Sequence, residues 1–331
     1  MNAHSEQPAI GGYFALERGH GTGLPWIDTA TAYQSARSAL AAVLTALRPS
    51  AVWVPNFICG AVNDALRSSE VPVRRYRLSV TLGVPEEVIL AATERLICVD
   101  YFGINAAAIE QALDRFGTDK ILVDASQSLY FHPRDGGTAV YSPRKFLGVP
   151  DGGLLRTTQR VPAAREPAES DSIGRSAHLL YRLAGLVDGG FTKFQEAEAS
   201  LAGCEPLAMS RLTDALLRSI DLERVAEARV RNYRSLASQL LLAGIEASAL
   251  PSGAVPLCVP VGCADATPVR RKLVAQRIFT PTYWADAVLP DDDHVGLRLR
   301  DRTVYLPCDQ RYGDAELQRI ANSMIRAMED S

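Results

Sequence analysis

The chain has no Cys-x-x-Cys pair, no block of like charge and no apolar run near the roughly twenty residues that span a bilayer. Each absence excludes something. The six cysteines (Cys59, Cys98, Cys204, Cys258, Cys263, Cys308) are scattered, which suits reduced thiols better than a disulfide frame. Five histidines lack the spacing of metal ligands, so no metal is expected. With a formal net charge of -3 over 331 residues, and lysines and arginines dispersed, no surface is built to track a nucleic-acid backbone. The first twenty residues carry His4, Glu6, Pro8 and Gly11-Gly12 without an apolar core, so neither a signal peptide nor an anchor is expected there. Internal repeats and low-complexity tracts are missing as well. A soluble, cytoplasmic protein is the expectation.

What is present is apolar residue content of 47%, enough for a large core. The length exceeds that of a usual single domain, which suggests an N-terminal arm and large domain over 1–208 and a linking helix with a small α+β domain over 209–331. After a glycine-rich entry segment, residues 30–47 show apolar residues at helical spacing and few breakers, and predict one helix. Short β-rich runs then alternate with helical ones. Ala51–Val54, Val71–Tyr76, Leu96–Val99 and Ile121–Val123 read as strands, with helices over Ile58–Arg67 and Ala106–Phe116. That alternation predicts the α/β class, with a mainly parallel sheet covered by helices. Residues 156–175, with Pro162, Pro167 and several acids and serines, read as an exposed loop, with 161–174 a candidate flap. From Met209 to about Leu242 the chain is strongly helical. Strands near Leu257–Val261 and Thr303–Leu306 and a closing helix Asp314–Met328 complete the pattern.

The chemistry concentrates around Lys145. It lies in Tyr141-Ser142-Pro143-Arg144-Lys145-Phe146, followed by Asp151-Gly152-Gly153 and preceded by Asp124 at the end of an apolar run. In a parallel α/β fold, ligands gather where strands end and loops begin. A pyridoxal-phosphate enzyme needs an amine for the cofactor aldehyde, a carboxylate for the pyridine nitrogen, and donors for the phosphate. Lys145 supplies the first and Asp124 the second. Ser142, three residues before the lysine, can reach the phosphate, with the helix start at Ser35-Ala36-Arg37-Ser38 as a second anion site. Gln127 is placed to approach the ring oxygen. A capping serine, a turn aspartate and a surface lysine are the plainer readings of the same residues.

In order along the chain, Ser35–Leu40, Val54-Pro55-Asn56-Phe57, Tyr101-Phe102-Gly103, Val123-Asp124-Ala125-Ser126-Gln127 and the Lys145 segment resemble the DegT/StrS-like sugar aminotransferases, which are fold-type-I pyridoxal-phosphate enzymes. Arg229, Arg231, Asn232, Tyr233 and Leu306-Pro307 extend the likeness over most of the chain. The resemblance implies a large domain on a seven-stranded sheet, a small C-terminal domain, and a homodimer with active sites at the subunit interface. It implies Lys145 bound to pyridoxal 5'-phosphate, Asp124 on the pyridine nitrogen and Gln127 near the ring oxygen, with Ser142, Ala36 and Arg37 around the phosphate. Family members commonly have Gly-Thr where Ala36-Arg37 stands, and a serine five residues before the lysine. The residue stacking on the ring is Phe57 or Cys59. Tyr283, Trp284 and Arg298 are candidates for the substrate side.

The resemblance implies transfer of an amino group, from L-glutamate, to a keto sugar carried on a nucleotide or to a related keto metabolite. One alternative is a pyridoxal-phosphate enzyme for an amino acid or acyl substrate, for which Arg298, Arg300 and Arg302 offer carboxylate partners. Another is a non-catalytic sensor or scaffold that binds the same cofactor.

Overall fold

The computed structural model describes residues 10–12, 21, 23–166 and 169–329. Most of the glycine-rich entry segment lies outside them. The elements follow in chain order as β1 (Ile10–Gly11), β2 (Thr31–Tyr33), α1 (Ala36–Leu47), β3 (Val52–Pro55), α2 (Gly60–Ser68), β4 (Val73–Tyr76) and β5 (Arg95–Val99). Next come α3 (Ala106–Phe116), β6 (Ile121–Ala125), β7 (Thr138–Tyr141), β8 (Gly153–Arg156), α4 (Glu169–Arg175), α5 (Ala177–Leu183) and α6 (Val187–Ser200). The remainder is α7 (Arg211–Ser219), α8 (Leu222–Leu242), β9 (Cys258–Gly262), α9 (Ala266–Ala275), β10 (Ile278–Phe279), α10 (His294–Asp301), β11 (Thr303–Pro307) and α11 (Asp314–Glu329).

Seven strands form one sheet in the order β2-β8-β7-β6-β5-β3-β4. The five strands from β7 to β4 are parallel, β8 runs antiparallel to β7, and β2 antiparallel to β8. Parallel strands covered on both faces must be apolar throughout, and β6 is buried along its whole length. Because β4 and β5 flank β3 on opposite sides, the chain reverses its direction of progress there. Such a switch point leaves a crevice at the carboxyl ends of the strands. The ends of β3, β5, β6 and β7, the start of β8 and the start of α1 all meet at that edge.

One apolar core surrounds this sheet, including Val54, Ile97, Leu122, Ala139 and Leu154. Burying side chains of this size stabilises by about 1.5–3 kcal/mol each. A second core joins Tyr233, Leu236 and Leu240 of α8 to β9, β11, α9 and α11. Leu222 and Val225, at the other end of α8, belong to the first core, so this helix contributes to both.

Three sequence expectations are corrected. The helix expected over 30–47 begins only at Ala36, because Thr31–Tyr33 pair with β8 and Ser35 caps the helix by accepting Ser38 N–H at 3.1 Å. The loop expected over 156–175 ends in α4, whose Ser172 and Arg175 are buried against Asp151. The helical stretch from 209 is two helices, broken where Asp221 accepts Arg224 N–H at 3.0 Å and caps α8. No helix among the described residues is long and apolar enough to cross a membrane.

Candidate active site

A cavity of about 840 Å³ opens at the carboxyl edge of the sheet. Small-molecule sites run from about 300 to 1,000 Å³. Its floor is made of strand ends. Asp124 is the last residue but one of β6, and its Oδ1 accepts Ser126 N–H at 2.9 Å, which turns the chain sharply. Lys145 follows β7 in a single 3-10 turn over Pro143–Lys145, and its Nζ donates to Ser126 Oγ at 3.0 Å. The amine is half-buried and pairs with no carboxylate among the described residues. Asp124, Ser126, Ser142 and Lys145 all line the cavity.

The next turn is held from behind. Buried Arg229 of α8 donates to the Phe146 carbonyl at 3.2 Å and lies 4.5 Å from the Phe146 ring, while Gln310 Nε2 donates to the same carbonyl at 2.9 Å. The Asp151-Gly152-Gly153 triplet has a packing reason for each residue. Asp151, fully buried, accepts from Ser172 Oγ and from Ser210 N–H at 3.2 Å. Gly152 has φ of +116°, a conformation that favours glycine. A Cβ on Gly153 would lie 2.0 Å from the Ser35 carbonyl carbon. Only glycine lets β8 pass the start of α1, and this close approach brings that helix start to the site.

At the start of α1, Ser35, Ala36 and Arg37 form part of the cavity wall. The amides of the first helical turn have no intrahelical acceptor and favour an anion. The Arg37 side chain turns toward the protein, with Nη1 donating to the Leu201 carbonyl at 2.8 Å and Nε 3.3 Å from Asp64 Oδ2. Cys59 precedes α2 and also lines the wall.

Behind the floor, Asp100 ends β5 and its Oδ1 accepts Asn105 N–H at 2.9 Å. Burial pushes its carboxyl up to about 6, and the nearby Asp124 charge adds to the rise. The roof comes from α5 and α6 through His178, Leu179, Val187, Phe191, Phe194 and Glu198. His178 Nδ1 lies 2.6 Å from the Arg175 carbonyl, and burial pushes the imidazole down to about 4. The ring is therefore neutral at pH 7.

The fold has known relatives. The structure superposes on Helicobacter pylori PseC, an aminotransferase involved in the biosynthesis of pseudoaminic acid, with a TM-score of 0.64 and 13% identity, covering 98% of this chain and 100% of that one. DesI, crystallised in the presence of its TDP-sugar product, matches at 0.62 and 19% identity over 91% of this chain and 81% of DesI. The aminotransferase TlmJ from Streptoalloteichus hindustanus matches at 0.62 and 15% identity over 92% of this chain and 86% of TlmJ. The chain has the fold-type-I aminotransferase fold. No family model matches the sequence, and no curated protein matches it.

Within this aminotransferase fold, Ala36, Arg37, Cys59, Asp124, Ser142, Lys145 and Tyr283 come together at one cavity. Four other candidates lie off its wall. Gln127 is fully buried, and its Oε1 accepts Phe102 N–H at 3.1 Å, bracing a turn in which Phe102 has φ of 60°. Phe57 is fully buried against Tyr101 and Trp284, with centroids 6.0 and 4.7 Å away, so of the two stacking candidates Cys59 is the one at the cavity. Trp284 packs into that aromatic cluster, whereas Arg298 is exposed on α10. Sequence reasoning did not single out Ser126, although it stands between Asp124 and Gln127. The α5–α6 roof was missed too, and its glycines and charges hide the apolar stripe.

Proposed function

We propose that the protein is a pyridoxal-phosphate-dependent aminotransferase that moves an amino group, from L-glutamate, to a keto sugar carried on a nucleotide or to a related keto metabolite. The observation that carries this reading is the Lys145 amine, free of any ion pair among the described residues and held by Ser126, on the floor of a cofactor-sized cavity that Asp124 also lines.

The donor set fits the cofactor. Lys145 Nζ would be the amine for its aldehyde carbon, the Asp124 carboxylate would hold the positive charge of the pyridine nitrogen, and Ser142 with the amides of Ala36 and Arg37 would take the phosphate. Bound there, pyridoxal phosphate supplies the electron sink that lets a substrate α-carbon give up its proton. Lys145 Nζ would receive that proton and return it, with Ser126 Oγ keeping the amine oriented. Leu147, Val149 and the apolar roof residues exclude water around this exchange.

The sugar acceptor is supported by the neighbours, one of them crystallised with a TDP-sugar product. We also propose a homodimer with shared active sites. Leu180, Leu183 and Leu186 are 50%, 47% and 59% exposed around the roof, an apolar surface suited to a second copy. All six thiols are free, which suits a cytoplasmic enzyme.

The test is the visible spectrum of the protein supplied with pyridoxal phosphate, recorded before and after L-glutamate. A visible band that glutamate removes supports both cofactor and donor. A band indifferent to glutamate points to another donor or to the amino-acid or acyl alternative. A protein that develops no band contradicts the reading.

A further inference from the structure

The ion pair of Arg144 with Glu198 joins floor and roof of the cavity, and both partners line the cavity. Arg144 Nη2 donates to Glu198 Oε1. The two ends are unequal. The arginine side chain is 15% exposed, whereas the glutamate side chain is 49% exposed and remains well solvated. Moreover, Arg144 Nε, like Arg37 Nε, is buried and has no hydrogen-bond partner among the described residues. A guanidinium offers five N–H donors in a planar fork matched to a carboxylate, and this one is only partly used.

The other arginines at the cavity are committed elsewhere. Arg37 is held by Asp64 and the Leu201 carbonyl, and Arg182 Nη2 donates to the Gly11 carbonyl at 2.9 Å. Arg144 is also the direct neighbour of Lys145, and adjacent Cα atoms lie about 3.8 Å apart. In an amino acid the carboxylate is one bond from the carbon that carries the amine. Whatever binds that carboxylate must therefore lie within a few ångströms of the reacting amine. Arg144 lies on the same 3-10 turn as Lys145 and lines the same cavity.

Resting on the aminotransferase reading, we propose that Arg144 is the guanidinium that takes the carboxylate of the amino donor, and that Glu198 occupies it until a donor displaces it. Glu198 is then a built-in competitor, and the two residues act on donor affinity with opposite signs. A pair that merely ties α6 to the Lys145 turn acts with one sign, since losing either partner loosens the same contact.

The experiment is calorimetric titration of the cofactor-loaded protein with maleate, a dicarboxylate that carries no amine to transfer. Arg144→Gln is expected to weaken maleate at least tenfold, and Arg144→Lys, which keeps the charge but not the fork, by less. Glu198→Gln, a conservative change at a half-exposed position, is expected to tighten maleate several-fold and to lower KM for the amino donor. Weaker maleate binding in both Arg144→Gln and Glu198→Gln would overturn the proposal in favour of a structural tie. Unchanged affinity in Arg144→Gln, or no binding to the wild-type protein, would overturn it as well. The aminotransferase reading fails by a different sign, a wild-type protein that takes up no pyridoxal phosphate.

Discussion

The floor and the roof of the cavity are built by different means. On the floor, Asp124, Ser126, Ser142 and Lys145 stand at the ends of strands whose positions are fixed by the parallel ladder β7-β6-β5-β3. The roof helices α4–α6 have no ladder. They are attached by side-chain pairs such as Asp151 with Ser172 and Arg175, and Arg144 with Glu198. A reacting amine needs sub-ångström placement, which a sheet edge provides. Groups that admit and release substrate gain from attachments that exchange. On the proposed function, bond-making falls to the floor and selection to the roof.

On the proposed function, the largest effect should come from the Lys145 amine on the floor. Lys145→Ala is expected to lower turnover by at least about a thousandfold while leaving the unfolding temperature within a few degrees of wild type, because only a half-buried amine and one hydrogen bond are lost. Steady-state kinetics and a thermal melt check both halves. Substantial residual turnover would place bond-making elsewhere.

Asp151→Ala should separate the two regions physically. It removes the acceptor for Ser172 Oγ and Ser210 N–H and strips a buried arginine, Arg175, of its carboxylate, a class of change that costs about 3–5 kcal/mol. Hydrogen exchange is expected to accelerate over residues 169–200 and to stay slow in β5 and β6. Equal acceleration in both would show that roof and floor open as one unit.

Titration sharpens the contrast, because roof and floor carry shifts of opposite effect. His178 is lowered to about 4 in the folded protein, so below its ordinary value of 6.5 the unfolded chain binds a proton that the folded one refuses. Its contribution to stability is lost as pH falls from 6.5 to 4. Asp100 is raised to about 6, so above 3.8 the unfolded chain releases a proton that the folded one keeps. Its contribution is lost as pH rises from 4 to 6. Each is worth roughly 2–3 kcal/mol, and they oppose one another in wild type. Denaturant melts across this range should show His178→Gln losing stability toward pH 6, and Asp100→Asn losing it toward pH 4.

The smallest effect on stability is expected at the outer face of the roof. Leu183→Glu with Leu186→Glu should convert a dimer to a monomer in analytical ultracentrifugation, with the isolated chain still folded, since both side chains are about half exposed. An unchanged sedimentation coefficient would put the dimer contact elsewhere.

The floor was the more legible region in the sequence. Strands such as Ile121–Val123 are continuous apolar runs, and the aspartate ending the run and the lysine in a Pro-flanked turn stand out by type and spacing. What escaped depends on distant partners. Thr31–Tyr33 became a strand because β8 lies beside it, which the helical periodicity of the following alanines conceals. Residues 169–175 became a helix because Ser172 and Arg175 reach Asp151, some twenty residues back. Gln127 was placed near the ring oxygen, and what its sequence position did not show is that its carbonyl serves Phe102 N–H while its Nε2 keeps no partner among the described residues. Arg144 stands in the sequence only as the neighbour of Lys145. Its pairing with Glu198 spans more than fifty residues and has no sequence signal.

The central claim is that the amine on the floor is where the cofactor attaches. The most direct measurement is borohydride reduction of the protein loaded with pyridoxal phosphate, followed by peptide mass mapping. A phosphopyridoxyl group fixed to Lys145 alone, and absent from Lys145→Ala, is the expected result. A label on another lysine, or none, would contradict the placement of the chemistry at this edge of the sheet.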